Sequence, residues 1–509
     1  MKTRQVIMCI AFSLLSHAFA KAQQINYITY TDSSVLNSKE YLKGNNYQKD
    51  FLLFMDMLKN THPAFSLSNP PFDIKKIKKE GYKYLKNFDN TEKFGFYLES
   101  IVSEMNDGHT FIYNQYKKDV LFPLIFRYFD GGFYINTINE EHKAFLGKKI
   151  VMLNGFAIYD VIMSFGHLLS WDNDIFLIER FKCITKFIWQ DSKYNTQEPL
   201  TVTCDDGSSF DLYYENIQDI KWVSVEPQPQ QSPYKNIQIP FRFELYTENS
   251  ICYLQFSSCI DKNTLRFQYY SGDLVGISED EFEEQIKDIP QFDTFLQEVF
   301  DMIQKHDIKT LVVDMRGNSG GNSMLCDQLL SWLRPYDEIQ SFDTKIRVSK
   351  FMDAHYPEIV KSYKEAAGDK FEYGMIFNDL PNNPDSIYSR FCVLNHDNNR
   401  LFKGNVVFIQ DNGTFSSAAT LIVTAYDNKI GTIIGEEGSY RPCNYGDILG
   451  FELPNTKVKG GVSHCYFLRP DKNACCNETL IPTIHIQRTW HDYLEGRDPW
   501  WQWVLDNYK

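Results

Sequence analysis

The second half of the chain alternates apolar runs at strand spacing with amphipathic runs at helical spacing, and this alternation restricts the fold more than any other feature. Predicted strands at 251–256, 310–314, 405–409 and 430–435 are interspersed with predicted helices at 292–305, 323–333 and 417–426. Strand–helix–strand units of this kind form a largely parallel sheet covered by helices. The loops after the strands then meet at one edge of the sheet, where such proteins carry their chemistry.

The first half of the chain has a different pattern. Apolar residues recur at helical spacing between 47 and 104, and short β-rich runs follow between 121 and 214. A stretch at 226–240 holds four prolines among glutamines and reads as a linker. We therefore predict an α+β multidomain chain divided at 1–22, 35–118, 119–225, 226–240 and 241–509, in which 35–118 is an N-terminal helical domain and 241–509 an α/β core.

Residues 1–22 are typical of a secretory signal peptide. Lys2 and Arg4 precede an apolar run at 6–15, and Ala20 and Ala22 offer a cleavage site before Gln23, although cleavage after residue 20 fits nearly as well. We expect an exported protein that is periplasmic, bound to the cell envelope or secreted. After residue 22 the sequence contains no run of about 18 apolar residues, so we predict no membrane span once the signal peptide is removed.

The net charge of the chain restricts the kinds of molecule that it can bind. The formal net charge of the 509 residues is −14, and loss of the signal peptide would make the chain more acidic because that segment carries only cations. An acidic surface of this kind repels nucleic acid and anionic membranes. We therefore expect no nucleic-acid partner.

The chain has 11 cysteines, of which Cys9 lies in the signal peptide. An even number remains for a compartment that permits disulfides, and the late group Cys443, Cys465, Cys475 and Cys476 is the predicted place for a bridge. Their spacing does not match a zinc motif, so we expect no metal and no cofactor. Further cysteines stand singly in apolar contexts and are predicted to be buried thiols: Cys183, Cys204, Cys252, Cys326 and Cys392.

A strand at 310–314 runs into the glycine-rich turn DMRGNSGG at 314–321. The N–H groups of Gly320 and Gly321 can point at a developing negative charge at a helix start. Ser319 resembles the nucleophile of chymotrypsin-type proteases, but here the turn lies between a strand and an amphipathic helix. That context argues against Ser319 as a nucleophile.

A second strand–turn–helix segment, QDNGTFSSAA at 410–419, places Ser417 at the start of a helix. The helix dipole would stabilise its alkoxide, although Ser is also favoured as an ordinary N-cap. Ser416, one residue earlier, remains the alternative nucleophile.

The third segment is DGHT at 107–110, in which His109 follows a glycine turn at the end of the front helical region. A lone histidine is more often structural than catalytic. His62, which precedes Pro63, is interpreted as structural.

Together and in this order, the three segments resemble the hallmarks of the C-terminal processing peptidase and tricorn-core serine peptidase family. The likeness extends to stretches at 147–155, 430–436, 451–455, 481–482 and 496–498. It implies a PDZ-like β module at 119–225 and a tail-specific-protease-type catalytic domain at 241–509, with a sheet-and-helix arrangement of the ClpP/crotonase type. It also implies an exported serine endopeptidase.

The resemblance implies a particular active site. Classical members activate their serine with a lysine, but residues 435–450 contain Arg441 and no lysine, and arginine cannot act as a base. Neither Lys429 nor Lys457 lies in that segment. The tricorn-like branch uses a histidine instead, which corresponds to His109, although this chain has Gly108 where the branch has a supporting serine. The implied site comprises Ser417 as nucleophile, His109 as base, Glu478 as orienting acid with Asp107 as the alternative, and Gly320, Gly321 and Ala418 as the oxyanion hole.

The implied partner is a polypeptide substrate with an accessible free C-terminus, because PDZ-like modules add an extended peptide to a sheet edge. Arg441 could bind such a carboxylate or form a surface ion pair. The alternative is an inactive family member that binds hydrophobic ligands or peptides, as interphotoreceptor retinoid-binding protein does. An approach of serine and histidine to about 3 Å would favour the enzyme.

Overall fold

The computed structural model describes residues 26–66, 70–113, 120–181, 198–236, 239–271, 277–378 and 390–508. Its strands form sheets of six, two, seven and six strands, with helices packed against them. The predicted α+β multidomain class is confirmed. The predicted signal peptide at 1–22 and Cys183 lie outside the described residues.

The strands and helices are numbered in chain order. The strands are β1 (Tyr27–Thr29), β2 (Phe111–Tyr113), β3 (Val120–Leu121), β4 (Leu124–Phe129), β5 (Gly132–Asn139), β6 (Lys149–Leu153), β7 (Phe156–Ala157), β8 (Leu200–Cys204), β9 (Ser209–Leu212), β10 (Glu215–Asn216), β11 (Trp222–Ser224), β12 (Phe241–Tyr246), β13 (Ile251–Phe256), β14 (Thr310–Asp314), β15 (Asp343–Arg347), β16 (Ile376–Asn378), β17 (Asn405–Gln410), β18 (Thr432–Gly435), β19 (Asn444–Glu452), β20 (Lys459–Leu468) and β21 (Ile484–His485). The α-helices are α1 (Ser33–Leu36), α2 (Lys39–Lys43), α3 (Asn46–Thr61), α4 (Ile74–Tyr84), α5 (Thr91–Val102), α6 (Ile158–Ser164), α7 (Asp174–Arg180), α8 (Lys262–Tyr270), α9 (Glu279–Ile286), α10 (Phe292–Lys305), α11 (Met324–Leu330), α12 (Lys350–His355), α13 (Pro357–Ala367), α14 (Ser417–Asp427), α15 (Trp490–Leu494) and α16 (Pro499–Asn507).

The back half is built on a six-stranded sheet of order β12-β13-β14-β17-β18-β21. Only the β12–β13 pair is antiparallel, so the predicted parallel sheet is confirmed. All five residues of β14 are buried, and α10 packs Phe292, Leu296 and Val299 into the same core. The chain therefore leaves β14 and β17 at the same edge of the sheet and turns there into α11 and α14.

A second six-stranded sheet joins the two ends of the chain. Strand β1 pairs with β19, and β2 pairs with β20, while β15 and β16 complete the sheet. Its core combines Phe54 and Leu98 of the front helices with Phe351 and Phe451 of the back half. The front helices thus share a core with the back half, and β2, which directly follows the DGHT segment, is held by β20.

The seven-stranded sheet has its own apolar core, which includes Leu124, Ile135, Val202 and Leu212. Helix α7 packs Leu177 and Ile178 into this core, whereas its Phe176 packs into the core of the back half. The PDZ-like identity of 119–225 and the predicted domain boundaries stay predictions.

The proline-rich segment lies against the C-terminal part of the chain. The N–H groups of Gln228 and Gln231 donate to the carbonyls of Leu494 and Gly496, both at 2.9 Å. The segment predicted as a linker is therefore anchored at these two points.

Cys443 and Cys476 form a disulfide, as predicted for the late cysteine group. Cys204, Cys252, Cys326 and Cys392 are buried, as their apolar contexts predict. None of the helices in the described ranges has the length and apolar character needed to cross a bilayer.

Candidate active site

Two turns at the edge of the parallel sheet form the base of the candidate site. The turn after β14 and the turn after β17 are tied together, since the Phe415 N–H donates to the Asn318 carbonyl at 3.0 Å. The Gly317 N–H donates to the Asp411 carboxylate at 2.9 Å. These two hydrogen bonds hold the turns against each other.

Ser416 occupies a sharp bend directly before α14. Its backbone angles are φ +54° and ψ −127°, a region that non-glycine residues seldom adopt and that costs on the order of 1–3 kcal/mol. A side-chain carbon on Gly320 would lie 2.6 Å from Ser416 Cβ, so only glycine allows the neighbouring turn to approach this closely. A strained serine between a strand and a helix presents its hydroxyl outward, as a nucleophile must.

His109 reaches this hydroxyl from the front half of the chain. Its Nε2 lies 3.0 Å from Ser416 Oγ. The imidazole stacks on Phe415 with ring centroids 4.6 Å apart, and Phe176 of α7 packs edge-on against the same Phe415 ring at 5.0 Å. The aromatic contacts hold the imidazole against the serine.

Asp107 organises the segment that carries His109. Its Oδ2 accepts hydrogen bonds from Thr110 Oγ1 at 2.6 Å, Ser463 Oγ at 2.7 Å and His62 Nε2 at 3.1 Å. Its Oδ1 accepts the His109 backbone N–H at 2.8 Å and lies 3.8 Å from His109 Nδ1. Although burial opposes ionisation, the hydrogen bonds from His62 and Thr110 hold the pKa of this carboxyl well below its usual range.

The electrostatic environment keeps His109 neutral. Burial lowers the pKa of its imidazole below 6.5, and the charge of Arg180 lowers it further, while Asp107 partly opposes both effects. The Nδ1 atom is buried and has no hydrogen-bond partner in the described part of the chain. An Nε2 that accepts from Ser416 requires the proton on Nδ1, facing Asp107 Oδ1, and this is the tautomer that a general base needs.

His109 contacts Ser416, the alternative nucleophile, and not Ser417, with which it was predicted to pair. Ser417 Oγ donates to the Gly321 carbonyl at 2.8 Å and bonds Ser323 Oγ at 2.9 Å. Ser417 is the first residue of α14, so its side chain faces the glycine turn rather than the histidine. The one-residue difference arises from the bend at Ser416, which the sequence does not display.

Two of the three predicted oxyanion donors are already engaged. The Gly320 N–H donates to Asn318 Oδ1 at 2.9 Å, and the Ala418 N–H donates to the Phe415 carbonyl at 3.2 Å. Over the described ranges, the N–H groups of Gly321 and Ser417 donate to no acceptor. These two groups flank the bend at Ser416 and remain open to a substrate.

Glu478 does not take part in this arrangement. Its side chain is exposed in the irregular segment that follows the disulfide, whereas the charged groups that act on His109 are Asp107, Arg180 and Asp447. The acid that faces His109 Nδ1 is Asp107, the alternative considered from the sequence. Ser319 is exposed on the glycine turn and makes no contact with His109.

Other motif residues serve the scaffold. Arg316 is buried between Asp314 and Asp498, with its Nη1 2.8 Å from Asp498 Oδ2, and so joins the glycine turn to the last helix. Asp172 accepts the Gly108 N–H at 2.7 Å and anchors the DGHT turn. Burial raises the pKa of the Asp172 carboxyl to about 7.

The supporting partners of Asp107 were not found from the sequence. His62 lies 45 residues before it and Ser463 lies 356 residues after it. His62 Nδ1 accepts the Ala64 N–H at 3.2 Å, which leaves the Nε2 proton for Asp107. The interpretation of His62 as a structural histidine agrees with these contacts. Ser463 reaches Asp107 only because β2 pairs with β20.

A cavity of about 240 Å³ adjoins the turn after β17. It is lined in part by Asn412 and by the carboxylates of Asp130, Glu436 and Glu437. This volume is below the usual range of small-molecule sites, which are mostly apolar.

Comparisons with known proteins show which family and which folds this chain is similar to. The model of Peptidase family S41 matches residues 281–442. The mature CPAF structure complexed with lactacystin superposes with a TM-score of 0.57 at 12% identity, covering 92% of this chain and 98% of that chain. Mature CPAF gives a TM-score of 0.56 at 13% identity and covers 92% of this chain and 96% of that chain.

The photosystem II D1 C-terminal processing protease is also similar, with a TM-score of 0.37, 13% identity, and coverage of 87% of this chain and 93% of that chain. No curated protein matches the chain. At these identities the two CPAF structures support the fold, and the family match supplies the chemistry. Residues 281–442 are a Peptidase family S41 domain, and the chain is a serine-type peptidase built around it.

Proposed function

We propose that this protein is an exported serine endopeptidase that cleaves polypeptides through an acyl-enzyme at Ser416, with His109 as general base. The observation that carries the proposal is the 3.0 Å distance between His109 Nε2 and Ser416 Oγ. This distance is within the range that proton transfer between base and nucleophile requires.

In the first step His109 Nε2 takes the Ser416 proton as Oγ attacks the scissile carbonyl. The imidazolium that forms carries an Nδ1–H directed at Asp107 Oδ1, 3.8 Å away in the resting site. Because Asp107 is ionised and buried, it stabilises that positive charge. His109 then gives its proton to the leaving amine. Water next attacks the ester while His109 takes a proton from it, and His109 returns this proton to Ser416 Oγ as the bond to the acyl group breaks.

The negative charge on the attacked carbonyl oxygen needs fixed donors. The N–H groups of Gly321 and Ser417 support this role, because neither is used within the described chain. The Gly320 backbone lies against Ser416 Cβ, which brings the glycine turn next to the reacting atom. Each such donor is worth about 100- to 1000-fold in rate.

The ligand-binding alternative is less well supported. A binding protein has no need to hold a strained serine against a neutral, buried histidine, and strain of this kind is retained mainly where function uses it. The cavity beside the site is small, and three acidic side chains line it together with Tyr128, Ile175 and Ile481.

Export rests on the basic start and short apolar run of residues 1–22. The Cys443–Cys476 disulfide supports it, since disulfides persist mainly outside the cytoplasm. We expect a mature chain that starts at Gln23, and intact-mass analysis of the protein recovered from cell-envelope and secreted fractions tests this. Recovery from the cytoplasm with residues 1–22 attached would contradict export.

The catalytic proposal is tested by degradation of an unstructured polypeptide with the purified mature protein. Ser416→Ala and His109→Ala should each abolish cleavage, whereas Ser417→Ala should retain it. Circular dichroism of every variant separates loss of chemistry from loss of folding. Full cleavage by folded Ser416→Ala would exclude the proposed nucleophile.

A further inference from the structure

On strands β19 and β20, three side chains with different ligand atoms lie close together. The carboxylate of Asp447, a ring nitrogen of His464 and the thiol of Cys465 all lie within 4.8 Å of one another. None of the three takes part in the proposed catalytic steps. We propose that they form a binding site for a transition-metal cation, with Zn²⁺ as the cation that fits best.

The strand register brings the three together. Gly446 pairs with Cys465 and Ile448 pairs with Ser463, so Asp447 of β19 stands opposite His464 of β20. Asp447 has a φ of +56°, which redirects its carboxylate from the ordinary strand direction. It thereby reaches both of the consecutive residues on the opposite strand.

Two of the three distances between ligand atoms are close to those around a tetrahedral ion, and the third is within 4.8 Å. His464 Nε2 lies 3.4 Å from Asp447 Oδ2, and Cys465 Sγ lies 3.7 Å from the same oxygen. Zinc bonds of about 2.0 Å to nitrogen and oxygen and about 2.3 Å to sulfur place tetrahedral ligand atoms roughly 3.3–3.6 Å apart. Small movements of the side chains would bring the three ligand atoms to these distances.

The hydrogen bonding of His464 prepares it as a ligand. Its Nδ1 lies 2.6 Å from the Asp447 carbonyl oxygen, which can only accept, so Nδ1 carries the proton. The lone pair of Nε2 is therefore available, and a histidine held through its other nitrogen by a backbone carbonyl is the usual arrangement at metal sites. The cation also replaces the Cys465 proton that now lies between Sγ and the Asp447 carboxylate.

The surroundings favour a borderline-soft ion. The side chain of His464 is 2% exposed, whereas that of Asp447 is 53% exposed. A buried sulfur and nitrogen select Zn²⁺ over Mg²⁺ or Ca²⁺, which prefer oxygen ligands. The exposed carboxylate offers a path from solvent and room for a water as the fourth ligand.

The test is a Zn²⁺ titration of the metal-free, full-length mature protein against a chromophoric chelator. Wild type should bind one equivalent, and His464→Gln and Cys465→Ser should each weaken binding by at least the roughly 10- to 100-fold that loss of an outer-shell partner costs. Asp447→Asn alters an exposed side chain and gives the same test without disturbing the core. His485→Gln is the matched control, since His485 pairs with Glu437 instead.

Replacement by Co²⁺ provides a second readout. Wild type should show sulfur-to-cobalt charge-transfer absorption, and Cys465→Ser should lack it. Thermal unfolding of each variant confirms that it is folded before its affinity is compared. Equal Zn²⁺ affinity in wild type and the three ligand variants, absence of binding to wild type, or a cobalt spectrum without the sulfur band would each overturn the site.

Discussion

Ser417→Ala separates the serine that reacts from the serine that braces the turn. The substitution removes the bond from Ser417 Oγ to the Gly321 carbonyl and the bond to Ser323 Oγ. Each buried hydrogen bond contributes about 1 kcal/mol net, so the free energy of unfolding should fall by about 1–3 kcal/mol. The backbone N–H of residue 417 is unchanged, so the proposed oxyanion donor remains.

We therefore expect kcat/KM of Ser417→Ala to stay within about tenfold of wild type, whereas loss of a serine nucleophile costs on the order of 10⁶-fold in kcat. Urea denaturation measures the stability, and hydrolysis of an unstructured polypeptide measures the rate. Ser323→Ala is the matched control, because it removes only the bond between the two serines and should destabilise less. A folded Ser417→Ala protein without activity would refute the reasoning.

Three further predictions follow from the buried titratable groups. Asp107→Asn should lower kcat on the order of 10³- to 10⁴-fold, because the asparagine cannot stabilise the His109 imidazolium, while Glu478→Gln should leave kcat unchanged. The pH dependence of kcat/KM should keep its plateau below pH 6.5 and fall only at lower pH, because burial lowers the pKa of His109 and the base must be neutral. Burial raises the pKa of Glu99 to about 8, so the folded state retains this proton while the unfolded state releases it near pH 4.5, and stability falls between these values by up to about 1.4 kcal/mol per pH unit. The free energy of unfolding of Glu99→Gln minus that of wild type, measured by urea denaturation, should therefore increase from pH 5 to pH 8.

Each of these predictions has a contrary outcome. Wild-type kinetics in a folded Asp107→Asn variant would remove Asp107 from the mechanism, and a slow Glu478→Gln variant would restore the acid predicted from the sequence. A midpoint of the pH–rate profile above 6.5 would mean that His109 is not desolvated in the working enzyme. A stability difference for Glu99→Gln that does not change with pH would show that this carboxyl is ionised in the fold.

The parallel sheet could be predicted from the sequence because its signals are local. Strand 310–314 and helix 292–305 have the predicted bounds, since each is a periodic apolar run bounded by polar residues or glycine. Helix ends were less accurate, and the helix predicted at 323–333 spans Met324–Leu330. The sequence also located the serine and histidine segments of the site.

What the sequence could not supply were distances between remote segments and the conformation of single residues. The choice between Ser416 and Ser417 depends on a positive φ that leaves no mark in the residue types. Asp107 was undervalued because its partners, such as Ser463, reach it only through the pairing of β2 with β20. Glu478 was favoured because it lies near the last strand in the sequence, but the charged groups that act on His109 are Asp107, Arg180 and Asp447.

The most direct test of the account is the position of the covalent adduct on the wild-type protein. The purified mature protein is treated with a fluorophosphonate, digested and sequenced by fragment-ion mass spectrometry across residues 411–427. The account predicts that the phosphonyl group is on Ser416 and that His109→Ala prevents its addition. An adduct on Ser417, or no adduct on the folded wild-type protein, would contradict the central claim.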